Sequence, residues 1–290
     1  MRKLVIAAAA LGFTGTAYAA DMPLLKAPPM AAPPSWTGFY IGVNGGGGWG
    51  TSDTGLAYVL NGNGAPIPGV VDPVTPSGGA FFQGLNRTAV VNAASNSINP
   101  SGGLAGGQIG YLLQQGSVVG GLELGFDWSG VKKSVTSGGV YTVGGLDGGT
   151  PFGFNERVSS TWLFTFLGRV GFDLGAWYPY ATAGLAVSDI KYTNAFSDPN
   201  NTTAGVGPVA GAASIDQVKA GIAAGGGLEW RLDNHWSLRG EYLFISFAGV
   251  SGFGAFCSVA AGCTPATQVT VLHNASFQEN IARAFLSYKW

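Results

Sequence analysis

The 290-residue sequence predicts an all-β fold, an eight-stranded antiparallel transmembrane β-barrel, on three observations. First, eight segments alternate between apolar and polar residues with a period of two, which is typical of strands with two unlike faces. Second, only 10% of the residues are charged, too few for a typical soluble surface. Third, short connections alternate with long ones, as they do in barrels that cross a membrane.

The N-terminus predicts export. Two basic residues precede an apolar run at residues 4–13, and Ala17-Tyr18-Ala19 fits the small-residue rule for signal-peptide cleavage. Residues 1–19 are therefore predicted to be a signal peptide. The alternative, an uncleaved anchor helix, conflicts with a run shorter than the ~20 residues that span a bilayer. The Pro-rich residues 20–35 are predicted to be an extended periplasmic linker, and residues 36–290 the barrel.

The eight predicted strands each place their apolar residues on one parity and their polar residues on the other. In order, they occupy residues 36–49, 104–114, 118–128, 161–173, 178–188, 217–232, 236–247 and 277–290. In the last of them Leu286, Tyr288 and Trp290 share the apolar parity, whereas Arg283 and Lys289 share the other. A barrel strand in a membrane turns its apolar face toward lipid and its polar face toward the lumen.

The connections between the predicted strands differ in length. Short turns rich in Gly, Asn and Asp are predicted at residues 115–117, 174–177 and 233–235. Long loops are predicted at about residues 50–103, 129–160, 189–216 and 248–276, which are rich in Gly, Ser, Thr, Asn and Pro. In a bacterial outer membrane the short turns would face the periplasm and the long loops the exterior.

Six acidic and six basic residues fall on the inward parity of the predicted strands. They are Glu123, Asp127, Asp173, Glu229, Glu241 and Glu279, with Arg169, Lys219, Arg231, Arg239, Arg283 and Lys289. Because an isolated buried charge is very costly, balanced charge inside a narrow barrel predicts a network of ion pairs. Side chains can fill an interior of about eight strands. We therefore predict that this network closes the lumen to solutes.

Several stretches of this sequence resemble a known family. They are the Pro-rich leader that runs into residues 36–42, the run at 107–111, the stretch 233–242 and the ending 280–290. Over its full length the chain resembles the small outer-membrane β-barrel proteins of alphaproteobacteria, called porin-family or outer-membrane immunogenic proteins, with an OmpA/OmpX-like barrel.

The resemblance implies a Gram-negative cell-surface protein with no fixed catalytic set. It implies contact with outer-membrane lipid and lipopolysaccharide, and insertion by the barrel assembly machinery. In such families the terminal aromatic strand serves as the assembly signal, and Leu286, Tyr288 and Trp290 match it. The long first loop matches no motif of the family, so an extracellular ligand of the loops is not identified.

Three local patterns contain residue types that other proteins use for covalent bonds, catalysis or ligand binding. Cys257 and Cys263 predict a disulfide in an exported protein, although a metal pair with His273 stays open. His273, Ser276 and Glu279 contain the residue types of a hydrolase triad, but Ser276 has the opposite strand parity. The GxGxxG within residues 45–50 lacks a following helix, so dinucleotide binding is not expected.

We predict no catalytic residue, cofactor or metal, and the net charge of −1 without a basic stripe argues against a nucleic-acid partner. The predicted function is a structural and surface-interaction role in the outer membrane. The alternatives are a small passive porin for small solutes and a barrel-embedded lipid or peptide hydrolase.

Overall fold

The computed structural model describes residues 35–58, 84–141, 149–198, 208–259 and 268–290. The predicted signal peptide and all of the predicted linker except Ser35 lie outside these residues.

The described chain is mostly β-strand. Its elements are β1 (Gly38–Tyr58), α1 (Gly84–Ala93), β2 (Ser97–Ile98), β3 (Ser101–Gln115), β4 (Val118–Ser129), β5 (Lys132–Val140), β6 (Pro151–Ser159), β7 (Trp162–Phe172), β8 (Trp177–Asp198), β9 (Val209–Arg231), β10 (Trp236–Ser258) and β11 (Gln268–Lys289). No helix within the described ranges has the length and apolarity that a membrane span requires.

All eleven strands join one antiparallel sheet. Strand β1 pairs with β11 on one side and with β3 on the other, and β7 pairs with both β4 and β8. The pairing path β1–β3–β4–β7–β8–β9–β10–β11 therefore returns to β1. Strands β5 and β6 pair with each other, β6 also pairs with β8, and the short β2 pairs with β1.

The sheet extends farther than the sequence predicts. Strands β2, β5 and β6 lie in stretches predicted to be loops, and β1, β8, β9, β10 and β11 run on into such stretches. The prediction of a loop throughout residues 129–160 is wrong, because Phe152 and Phe154 on β6 and Phe196 on β8 are buried against one another. Burial of these aromatic rings outweighs the Gly- and Ser-rich composition around them.

Short turns connect the strands at one end of the sheet, hereafter the turn end; the opposite end is the loop end. The turns occupy residues 116–117, 173–176 and 232–235. Gly116 and Gly175 have φ angles of 61° and 83°, in the left-handed region that glycine adopts without a steric penalty.

The two faces of the sheet are unlike, and the apolar one is outside. Ile222 and Leu228 are 70% and 45% exposed, whereas Glu229 between Leu228 and Trp230 is 4% exposed. Exposed aromatic residues mark the turn end, where Trp177 stacks on Trp230 and Tyr288 contacts Trp290. Such an outer surface suits lipid and not water.

The interior is filled with apolar as well as charged side chains, which the parity of the sequence did not predict. A turn-end aromatic cluster consists of Trp36, Tyr40, Leu112, Val119, Tyr178 and Tyr180. A larger apolar cluster, including Leu167, Leu243 and Ile281, extends toward the loop end. A third cluster there joins Val90 of α1 to residues of β1, β6, β8, β10 and β11.

Candidate functional site

Two buried carboxylates are positioned by two rows of residues that pair side by side across three neighbouring strands. Each row consists of a tyrosine, a glycine and a glutamate. Tyr40 on β1 pairs with Gly110 on β3, which pairs with Glu123 on β4. The Tyr40 hydroxyl crosses the bare glycine and donates a hydrogen bond of 2.6 Å to Glu123 Oε2. A Cβ atom at Gly110 would collide with the Tyr40 ring, so glycine is required for this crossing.

The second row repeats the first elsewhere in the sheet. Tyr180 on β8 pairs with Gly227 on β9, which pairs with Glu241 on β10. The Tyr180 hydroxyl donates a hydrogen bond of 2.6 Å to Glu241 Oε2. Each tyrosine thus spans two strand spacings and supplies a donor to a carboxylate that is at most 5% exposed.

Arg169 on β7 bridges two of the carboxylates. Its guanidinium lies 3.3 Å from Glu123 Oε2 and 2.6 Å from Glu229 Oε2. It also donates a hydrogen bond of 3.1 Å to the Tyr40 hydroxyl and lies over the Tyr180 ring, 4.0 Å from the centroid. Arg169 therefore ties β1, β4, β7, β8 and β9 together across the interior.

Arg239 on β10 holds Glu123 from the opposite side. Its two terminal nitrogens donate hydrogen bonds of 2.6 and 3.1 Å to the two carboxylate oxygens of Glu123, and its guanidinium lies 3.6 Å from the Phe285 ring centroid. The bidentate geometry and the aromatic stacking are the contacts that a guanidinium makes best. Arg239 is 1% exposed and spans from β10 to β4.

Arg283 on β11 joins the remaining carboxylates. It lies 2.6 Å from Asp127 Oδ2 and 2.8 Å from Glu241 Oε1. Together with the contacts of Arg169 and Arg239, these pairs define the buried ion-pair core. Its members are Glu123, Asp127, Glu229 and Glu241 with Arg169, Arg239 and Arg283.

The buried ion-pair core contains four carboxylates and three guanidiniums, and none of these side chains is more than 6% exposed. Hydrogen bonds from Tyr40, Tyr180 and Ser237 supply donors to the carboxylates in addition to the cations. Buried charges are tolerable only with such satisfied partners, since each costs several kcal/mol to desolvate. Sequence parity did not indicate which carboxylates these hydroxyl groups contact.

The other five charged residues predicted for the lumen lie outside these pairs. Asp173, Arg231 and Lys289 lie at the turn end, where Lys289 donates to the Ser35 carbonyl and Arg231 lies over the Trp36 ring at 4.1 Å. Lys219 is half-buried on β9. Glu279 is 1% exposed, and its Oε1 has no hydrogen-bond partner among the described residues.

Trp36 closes the turn end of the interior. It is 2% exposed, its indole nitrogen donates to Asp173 Oδ1 at 2.9 Å, and its backbone N–H donates to Gln114 Oε1 at 2.8 Å. Burial by itself would raise the pKa of the Asp173 carboxyl. The hydrogen bonds from Trp36, Gln114 and the Gly175 N–H outweigh that effect and hold this pKa below its usual range.

A second buried polar group lies toward the loop end, in a region that the sequence predicted to be loop. Glu156 is fully buried and accepts hydrogen bonds from Tyr192, Asn194 and Asn96. Burial, followed by the charge of Glu156, raises the pKa of Tyr192, which therefore remains a donor. The period of two in residues 152–158 is the sequence signal that would have predicted strand β6.

The residues considered for catalysis do not converge. His273 and Glu279 are buried on the inward face, whereas Ser276 is exposed on the other face, where its hydroxyl accepts a hydrogen bond from the Asp53 N–H. Burial lowers the pKa of His273 to about 4. Within the described ranges, no cluster of three His, Cys, Asp or Glu residues could hold a metal ion. Cys263 lies outside these ranges, so the disulfide with Cys257 stays a prediction.

Comparisons with known proteins agree with this architecture. Residues 6–262 match the family described as outer membrane protein beta-barrel domain. The chain belongs to this outer-membrane β-barrel family. The barrel is accordingly a Gram-negative outer-membrane protein, and its antiparallel sheet has the outer-membrane β-barrel fold.

Individual relatives carry similar names. The barrel is 29% identical to the 31 kDa outer-membrane immunogenic protein of Brucella melitensis biotype 1 over 256 residues, which are 84% of this chain and 86% of the relative. It is 31% identical to the 22 kDa outer membrane protein of Rhizobium leguminosarum bv. viciae over 49% of this chain and 52% of the relative. Among solved structures, it is similar to the outer membrane protease OmpT of Escherichia coli with a TM-score of 0.43 and 9% identity, covering 87% of this chain and 97% of that one.

Proposed function

We propose that the barrel is a closed outer-membrane protein with a structural and surface-interaction role, and that it does not conduct solutes. In this proposal the eight strands of the closed pairing path cross the membrane. The turn end faces the periplasm, where residues 20–35 form the linker after removal of the signal peptide. The loop end faces the exterior and offers a surface to lipopolysaccharide and other extracellular partners.

The observation that carries the proposal is the buried ion-pair core. Its guanidiniums reach across the interior between strands that are far apart in the sheet, as Arg239 on β10 does to Glu123 on β4. Trp36 lies below the core at the turn end, and apolar clusters fill the interior above it. A solute would have to break several buried ion pairs to pass.

Single-channel recording tests this proposal. The mature barrel, inserted into planar bilayers, is expected to show no stable conductance steps, because the interior is filled. Insertion is checked independently by the change in gel mobility on boiling. A double variant, Glu123→Ala with Arg239→Ala, removes both partners of one of the three 2.6 Å bridges and leaves Arg169 paired with Glu229, and it is expected to conduct measurably. Large, stable steps from the unaltered barrel would instead support the passive porin.

A further inference from the structure

Three basic side chains lie close together on the outer face of the sheet toward the loop end. Lys132 on β5 pairs with Ser159 on β6, which pairs with Lys191 on β8. Arg157 lies two residues from Ser159 on the central strand β6. Neighbouring strands are ~5 Å apart and residues two apart on a strand are separated by ~7 Å, so the three Cα atoms lie within about 10 Å of one another. We call Lys132, Arg157 and Lys191 the basic patch.

The side chains of the basic patch point away from the interior. Arg157 is exposed between Glu156 and Val158, which are both buried. Lys191 is 41% exposed between the buried Ile190 and Tyr192. Alternation along a strand places such neighbours on opposite faces, so the side chains of the basic patch project outward from the barrel wall.

The basic patch begins just beyond the apolar belt. Trp128 on β4 is 67% exposed and pairs with Trp162 on β7, and this pair lies at the loop-side end of the exposed apolar residues of β4 and β7. Lys132 follows Trp128 by four residues, which is ~13 Å along an extended chain and less along the membrane normal because strands are tilted. Interfacial tryptophans lie at the level of lipid headgroups, so the patch lies at or just beyond that level.

Two of the three charges of the basic patch have no carboxylate partner among the described residues. Among the described residues, neither Lys132 nor Arg157 has a carboxylate within 4 Å, whereas Lys191 lies 3.6 Å from Asp189 and 3.4 Å from Asp216. Asp189 already accepts hydrogen bonds from the backbone N–H groups of Thr161 and Trp162. Cationic side chains are scarce in this chain, with 14 in 290 residues, which makes the grouping of three on one outer surface notable.

We propose that the basic patch binds the phosphate groups of a phosphorylated lipid of the outer leaflet. The inference rests on the proposed function, in which the loop end faces the exterior, and it specifies where on the barrel a lipid binds. Phosphate oxygens accept hydrogen bonds from the side chains of lysine and arginine. The patch lies on the outer wall of the barrel at the level of the lipid headgroups, which favours a membrane lipid over a soluble ligand that binds at the loop end. A lipid held here would be a fixed neighbour of β5, β6 and β8.

Neighbouring residues offer a matched control. Lys133 is exposed and carries the same charge as Lys132, but it pairs with the buried Val158 and so has the opposite parity. Lys132→Ala, Arg157→Ala and Lys133→Ala each remove one charge from an exposed side chain. All three variants are expected to fold, which is checked by the mobility shift on boiling.

The test measures binding of purified lipopolysaccharide to the refolded, full mature barrel in zwitterionic detergent micelles. We expect Lys132→Ala and Arg157→Ala each to weaken binding about fivefold, the factor that corresponds to ~1 kcal/mol per surface charge, and Lys133→Ala to leave it unchanged. Enzymatically dephosphorylated lipopolysaccharide should bind the unaltered barrel more weakly. Inorganic phosphate at the same concentration should not compete with the lipid, because it has no acyl chains to hold it beside the basic patch.

Defined results would overturn the assignment. Equal losses in Lys132→Ala and Lys133→Ala would reduce it to non-specific charge attraction. Equal binding of phosphorylated and dephosphorylated lipid would exclude phosphate recognition, and binding of a soluble sulfated glycan that disappears in the same variants would assign the patch to an extracellular polymer. If the unaltered barrel shows no mobility shift on boiling, the proposed membrane barrel itself fails; a shift without lipid binding rejects only the lipid site.

Discussion

At the scale of single residues, the barrel depends on buried charges that are each held by at least one buried ion pair. Arg239 is 1% exposed and shares Glu123 with Arg169, so removing one partner would leave a charge in a medium that solvates it poorly. Breaking a buried pair in this way typically costs ~3–5 kcal/mol, whereas replacing the whole group with apolar residues costs far less. The ion-pair core therefore specifies one arrangement of strands more strongly than it adds net stability.

His273 predicts a pH dependence of stability. It lies on β11 beyond the apolar belt, is 1% exposed, and has a pKa lowered to about 4 from 6.5. Between these values the unfolded chain binds the proton and the folded chain does not, so the free energy of unfolding falls as pH drops from 6.5 to 4. The full difference corresponds to ~3 kcal/mol.

Urea unfolding of the barrel in lipid vesicles, followed by tryptophan fluorescence from pH 7 to pH 4, measures this effect. The variant His273→Leu cannot take up the proton, so its free energy of unfolding should fall less over the same range. Parallel pH profiles for the variant and the unaltered barrel would contradict the assignment.

At the scale of strands, the repeated Tyr–Gly–Glu rows determine how β1, β3 and β4, and again β8, β9 and β10, lie together. In each row the glycine has no side chain, the tyrosine lies across it, and the carboxylate on the third strand accepts the hydroxyl. Covering a strand glycine with an aromatic ring is a known means of securing register. Here it also delivers a donor to the ion-pair core.

The first row predicts a specific sensitivity of Gly110. In Gly110→Ala, the new Cβ atom would meet the Tyr40 hydroxyl and lie 2.7 Å from the Leu122 carbonyl, displacing the tyrosine from Glu123. We expect a loss of ~1–3 kcal/mol in the free energy of unfolding, as for other overpacked sites. Gly240→Ala is the control, because a Cβ there has no heavy atom within 4 Å. Equal effects of the two substitutions in urea unfolding would refute the role of the row.

At the scale of the whole molecule, the closed pairing path depends on its last strand. Strand β11 lies between β10 and β1, and the Trp290 N–H donates to the Phe39 carbonyl at 3.1 Å. Trp290 is 68% exposed and contacts Tyr288 edge-on at a centroid distance of 5.4 Å. Trp290 therefore takes part both in closing the sheet and in the outer aromatic surface.

Trp290→Ala tests the proposed assembly signal of Leu286, Tyr288 and Trp290. We expect a smaller fraction of the expressed chain to reach the outer membrane in folded form, because Trp290 is the proposed recognition element. The fraction is measured as heat-modifiable protein in isolated outer membranes. Trp128→Ala is the matched control, since Trp128 is 67% exposed and lies at the other edge of the apolar belt. An equal loss in both variants would indicate a general loss of interfacial anchoring.

Within the eight strands that it predicted, the sequence alone indicated which side chains face outward and which face the interior, because the period of two in a strand is a local property of the backbone. It thereby identified Glu123, Arg169, Arg239 and Arg283 as inward-facing charges, and the aromatic ending at Trp290. It also located the short turns, whose Gly, Asn and Asp residues act within a few positions of each other.

Only the tertiary structure decided which charges meet. Arg239 and Glu123 are 116 positions apart, and their contact depends on strand order and register around the whole sheet. The same parity placed Lys219 and Glu279 inward, but their heights on the strands keep them out of the ion-pair core. The extension of β8 to Asp198 likewise depends on partners elsewhere in the chain, because a strand becomes stable only when another strand satisfies its backbone hydrogen bonds and buries its side chains.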